Sequence, residues 1–287
     1  MRRESCEDGE TVAFAGKRED GMRRIVCFIA AVVFLALASS AARAELKTET
    51  ITYRVGDKEF TGYLAYDDAV ADKRPGVLVV HEWWGHNAYS RRRAEMLAAL
   101  GYTAFALDMY GSGQVADHPE SAKAFSQAVM ADFAEAAKRF DAAKAMLLQQ
   151  PTVDPTKIAA IGYCMGGSIV LNMARRGADL AGVVSYHGGL AAKTPAQPGA
   201  VKARVLVFTG QADPMVPVDQ VQAFVGEMQT AGADYTLVGF PGAKHGFTNP
   251  DATQFGQRFG MPLAYDQAAD AESWAQTGFF LQRIFAE

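Results

Sequence analysis

The chain is expected to form a three-layer α/β domain: a mostly parallel central sheet, helices on both faces, and a β-hairpin at the N-terminal edge. Two observations predict this. Continuous apolar, β-branched runs are the mark of strands buried on both faces, as parallel sheets are. Those runs alternate along the chain with longer helical stretches, which gives a sheet covered on both sides. At 287 residues with 49% hydrophobic side chains, the chain has enough apolar material for one well-buried core.

The hairpin comes first, from the alternating segments Thr50–Val55 and Phe60–Tyr66 around the turn-prone Gly56-Asp57-Lys58. Buried strands follow at Val77–Val80, Thr103–Leu107, Ile158–Ile161, Gly182–Ser185, Val205–Phe208 and Tyr235–Val238. Helices are expected near Tyr89–Leu100, Ala131–Leu148, Gly166–Arg175, Val218–Ala231 and Asp266–Phe285. No repeat or linker interrupts them, so residues 45–287 read as one domain.

Residues 1–44 stand apart. Arg23-Arg24, the apolar run Ile25 to Ala38 and the small residues ending Ala42-Arg43-Ala44 have the layout of a secretory signal peptide. The apolar run is too short for a membrane span of about 18 residues or more. Residues 1–21 precede Met22, which is the expected start. A periplasmic or secreted protein, free of the membrane after cleavage, is the expectation. The net charge of −4, with no concentrated basic stretch, argues against nucleic-acid binding. Removal of residues 1–44 also removes Cys6 and Cys27 and leaves Cys164 as the only thiol. An internal disulfide is then excluded, and a lone exported thiol calls for a reason.

In sheets of this kind, reactive groups collect at the carboxyl ends of strands. Gly162-Tyr163-Cys164-Met165-Gly166 lies between a predicted strand and a predicted helix, the nucleophile-elbow pattern with sulfur as the nucleophile. The following helix places partial positive charge beside the thiol. His245, in a loop after the last strand, is the candidate base, and Asp213, after the preceding strand, the candidate orienting acid. Met165 and Trp83 are the candidate backbone donors to an oxyanion. His187 and Asp108 also end strands, but a structural role suits them as well. His81-Glu82 with His86 lacks the H-E-x-x-H spacing of a zinc helix, so no metal site is expected.

These motifs, together with His81-Glu82-Trp83-Trp84-Gly85, Leu107-Asp108-Met109-Tyr110-Gly111 and His245-Gly246-Phe247, resemble the dienelactone hydrolase family over most of residues 50–285. The resemblance implies an α/β-hydrolase fold, a Cys164–Asp213–His245 triad, and a monomeric, cofactor-free hydrolase of a small ester or lactone. It implies that Glu82 lies beside the cysteine and keeps the resting thiol protonated; the bland alternative pairs Glu82 with Arg91, Arg92 or Arg93. Trp84, Tyr110, Tyr163 and Phe125 are the expected substrate-pocket residues. One departure bears on the substrate: the positions matching the family's two carboxylate-binding arginines are Ser121 and Asn249, neither of them basic. A general carboxylesterase and a non-catalytic binding protein on the same fold are the competing readings.

Overall fold

The computed structural model describes residues 45–70 and 72–286. The expected signal segment, Met22, Cys6 and Cys27 lie outside the described residues. The described elements are, in order, β1 (Leu46–Val55), β2 (Lys58–Asp67), β3 (Arg74–Val80), α1 (Ala88–Ala99), β4 (Thr103–Leu107), α2 (Pro119–Ala131), α3 (Phe133–Leu148) and β5 (Val153–Tyr163). They continue with α4 (Met165–Arg175), β6 (Gly182–Tyr186), β7 (Arg204–Gly210), α5 (Val218–Ala231), β8 (Tyr235–Phe240), α6 (Ala252–Phe259) and α7 (Gln267–Ala286).

The strands form one sheet in the order β1-β2-β4-β3-β5-β6-β7-β8. The hairpin β1–β2 is antiparallel and joins β4 antiparallel; every pair from β4 onward is parallel. Strand geometry sends alternate side chains to opposite faces. Here that alternation sorts the core into two layers. Leu78, Val80, Phe105, Leu107, Ile158 and Ala160 pack with α3, α4 and α5. Their neighbours Val77, Val79, Ala104, Ala106, Ala159 and Ile161 pack with α1 and α7. Among the described residues no helix is long and apolar enough to cross a membrane.

Two helices were not anticipated. The single helix expected over Ala131–Leu148 is preceded by a separate one, α2, and the two part at Asp132, whose carboxylate accepts from the Glu135 N–H and caps α3. His118 caps α2 and Pro119 occupies its first position, a start signal that needs no apolar stripe. The other, α6, ends at Gly260 in the left-handed conformation and covers the residues after β3.

Candidate active site

Cys164 sits on a sharp turn between β5 and α4 with φ 54° and ψ −116°, a conformation disfavoured for a side-chain-bearing residue. Backbone bonds hold it there: its N–H donates to Tyr186 O at 2.9 Å, and its carbonyl accepts from Ser168 N–H at 3.2 Å. The flanking glycines are a steric requirement. A Cβ on Gly162 would stand 2.1 Å from Gly166 O, and one on Gly166 would stand 2.3 Å from Val80 O. The turn lifts the sulfur over the strand ends and makes Met165 the first residue of α4. Its N–H therefore has no acceptor within the helix.

Cys164 Sγ lies 3.1 Å from His245 Nε2, and His245 Nδ1 lies 2.8 Å from Asp213 Oδ2. The second Asp213 oxygen accepts from the Met215 N–H at 2.8 Å, which fixes the carboxylate's rotation. The Asp213 side chain is completely buried and that of His245 is 8% exposed. Burial opposes a charged imidazole. The negative charge of Cys164, its hydrogen bond and the bond to Asp213 outweigh that and push the imidazole up to about 10. The imidazole is thus favoured in its charged form.

The histidine loop is fastened from several sides. His245 O accepts from Ala264 N–H and Phe247 O from Asp266 N–H, at 3.2 and 3.0 Å. Arg93 of α1 donates to Thr248 O at 2.6 Å and pairs with Asp270 of α7. His187, completely buried with φ 41°, contacts Thr248 Oγ1 through Nε2 at 2.8 Å, and its ring stands edge-on to His245 at 5.2 Å. Burial, and then the His245 charge, keep His187 neutral, so it is a packed support behind the imidazole. Asp108 closes a turn by accepting from the Tyr110 and Gly111 N–H groups.

Glu82 is buried, and its carboxylate accepts from Asn249 Nδ2 at 2.6 Å. Among the described residues no ion pair joins Glu82 to an arginine of α1, and Arg93 is engaged by Asp270 and Thr248. Burial raises the Glu82 carboxyl to about 7, against the opposing hydrogen bond from Asn249 and the charge of His245. This has a consequence for stability. The unfolded group titrates near 4.5 and the folded one near 7, so the native state holds the proton more tightly. The contribution is complete below the unfolded value and is lost as pH rises through the folded one, about 3 kcal/mol in all. Glu82→Gln is therefore expected to melt higher than the parent at about pH 8, with the gap closing toward about pH 5. A gap of constant size across a pH series of thermal melts would assign the proton elsewhere.

The cavity at the sulfur has a volume of about 260 Å³ and is lined by Trp83, Met130, Met165, Met215 and Val216, among others. Among the described residues, its ionisable groups are Cys164 and His245. Four residues expected in a substrate pocket are placed differently. Tyr163 shares the parity of Ile161 and so points to the α1/α7 layer, stacked on Tyr186 at 4.6 Å. Trp84 is covered by the unanticipated α6 and packs on Phe255 at 4.6 Å. Tyr110 and Phe125 line a larger neighbouring cavity of about 660 Å³ that does not include the cysteine. The Tyr110 hydroxyl is occupied, 2.8 Å from Trp83 O and 3.3 Å from Met165 Sδ. Asn249, noted in the sequence only for not being arginine, turns out to hold Glu82 across 167 residues, a contact no local signal foretells.

A mostly parallel sheet, a strained elbow after β5, and an acid and a histidine after β7 and β8 define an α/β-hydrolase. Comparison with known proteins narrows the class. Residues 60–285 match the dienelactone hydrolase family, and the chain belongs to it. A solved dienelactone hydrolase-like promiscuous phosphotriesterase from metagenomic libraries is 34% identical, with a TM-score of 0.79 over 83% of this chain and 98% of its own. A carboxymethylenebutenolidase-like protein of Aquifex aeolicus is 26% identical over 204 residues, 70% of this chain and 84% of that one. The α/β hydrolase MGS-M1 from a deep-sea metagenome, 18% identical with a TM-score of 0.63 over 84% of this chain and 99% of its own, shares the fold. The protein is a hydrolase acting on ester or lactone bonds.

Proposed function

We propose that the chain hydrolyses uncharged carboxylic esters or lactones, with Cys164 as nucleophile and a thioester as the acyl-enzyme. The observation that carries this reading is the 3.1 Å contact between Cys164 Sγ and a His245 held by buried Asp213. The thiolate attacks the carbonyl carbon, and the Trp83 and Met165 N–H groups receive the developing oxyanion. His245 gives its proton to the leaving oxygen. It then takes one from water, whose oxygen attacks the thioester and frees the acid and the thiolate. Glu82, ionising near neutrality behind Asn249, adjusts the charge balance of the thiol site.

The substrate is read as uncharged because among the described residues no lysine or arginine lines the cavity, while methionine and tryptophan supply an apolar, adaptable wall. A neutral phosphotriester is a second reading, favoured by the likeness to the promiscuous phosphotriesterase. The same proposal includes export, a monomer, and release from the membrane after cleavage at Ala44.

Intact-mass analysis of the protein quenched during turnover of a short p-nitrophenyl ester tests the chemistry. The expected result is one added acyl group, mapped to the peptide carrying Cys164. Turnover with the acyl group on another residue, or with none at any quench time, would overturn the cysteine mechanism. A parallel panel of esters, lactones and triesters ranks the substrate classes.

A further inference from the structure

The completely buried imidazole of His81 lies one residue before Glu82, and nothing in the proposed cycle uses it. Its Nε2 receives the Met109 N–H at 3.1 Å, and its Nδ1 lies 2.5 Å from the carbonyl oxygen of Glu82. A backbone N–H can only donate, so Nε2 carries the lone pair. The proton of the neutral ring is then on Nδ1 and is donated to Glu82 O. The same carbonyl accepts the Gly85 N–H at 3.1 Å, so two donors hold it in one direction.

That carbonyl belongs to the peptide unit whose other end is the Trp83 N–H. In a planar trans peptide the C=O and N–H point in opposite directions, so the two donors on the oxygen aim the N–H as well. The next peptide is held too, because the Tyr110 hydroxyl meets Trp83 O at 2.8 Å. Tyr110 in turn packs edge-on to His81, ring centroids 4.8 Å apart. Trp83, Cys164 and Met165 line the same cavity, so the residue whose N–H is aimed belongs to the wall around the sulfur.

We infer that His81 is a positioning residue for oxyanion stabilisation: its Nδ1–H bond to Glu82 O sets the direction of the Trp83 N–H. The inference rests on the cysteine mechanism proposed above. It separates His81 from the thiol's own activation, since the ring contacts neither Cys164 nor His245 through any hydrogen bond described.

The test compares three variants that keep different parts of the arrangement. His81→Asn places an amide donor where Nδ1 stands. His81→Gln reaches toward Met109 but leaves Glu82 O without this donor, and His81→Leu removes both bonds. With a p-nitrophenyl ester, kcat is expected to fall about 10- to 100-fold in the Leu and Gln variants and by only a few-fold in Asn, with KM nearly unchanged. Alkylation of Cys164 by iodoacetamide needs the thiolate but no oxyanion donor. Its rate and pH profile should match the parent's in all three.

Thermal melts check folding, and a purely structural role would make activity follow melting temperature rather than the position of the donor. An unchanged kcat in Leu and Gln, or alkylation that falls in step with kcat, would overturn the inference while leaving the cysteine mechanism standing. A parent that is never acylated at Cys164 sinks both.

Discussion

Cys164→Ala is expected to lower ester turnover by about 10⁴-fold or more, with little change in stability. In the proposed mechanism the sulfur forms the covalent bond, and His245 and Asp213 serve only to activate it. The backbone donors can still stabilise a water-derived oxyanion, so a small residual rate over the uncatalysed reaction is expected. Alanine meets the same φ of 54° as cysteine, so the turn is no more strained. Cys164→Ser makes the comparison sharper. His245 stands near 10 because it faces the charge of Cys164 and is bonded to Asp213. A serine hydroxyl does not carry that charge, so the imidazole should titrate lower and act only once neutral. The serine variant's rate should then rise with pH across the imidazole range, where the parent stays level. A pH–rate series on all three proteins reads this, and turnover in the alanine variant near the parent level would refute the cysteine mechanism.

The second large effect concerns the fold. Gly166→Ala is expected to destabilise by about 3 kcal/mol or more, since the added carbon meets backbone rather than a movable side chain. Val80 O would lie 2.3 Å away and His81 O 2.7 Å away, both at the carboxyl end of β3. For a domain of this size, that corresponds to a fall in Tm of roughly 6–12 °C. Gly226→Ala supplies the opposite control. It lies inside α5 with open space around its Cβ position, so helix propensity should stabilise it by about 0.5–1 kcal/mol. Denaturant melts of the two variants should therefore diverge in sign. If Gly166→Ala left the midpoint unchanged, close packing of the elbow under β3 would be wrong.

Burial decided how much of this was readable beforehand. The strand Thr103–Leu107 and the helix Val218–Ala231 were legible to their ends, because a run buried on both faces and a glycine-stopped apolar stripe are local signals. Strand β5 ran longer than its apolar stretch because Val153 and Asp154 pair with Arg74 and Pro75 beyond it. Helix α2 escaped notice because only Ala122 and Val129 are buried along it, too few for a stripe. At the site, Cys164, Asp213 and His245 could be picked out because each follows a strand of the parallel sheet. What joins Glu82 to Asn249, or His81 to Met109, is a meeting of loops across the sheet, and residue order carries no record of it. Tyr163 misled for a simpler reason: its place beside the nucleophile suggested the pocket, but strand parity turns it to the other face.

The fastening of the histidine loop sets an order of assembly. Ala264, Asp266 and Asp270, which tie down His245, Phe247 and Arg93, lie at or just before the start of α7, the last of the described helices. Protein domains are synthesised from the N-terminus, and these anchors are added after both Cys164 and His245. The elbow and its thiol therefore exist on the growing chain before the imidazole has its seat.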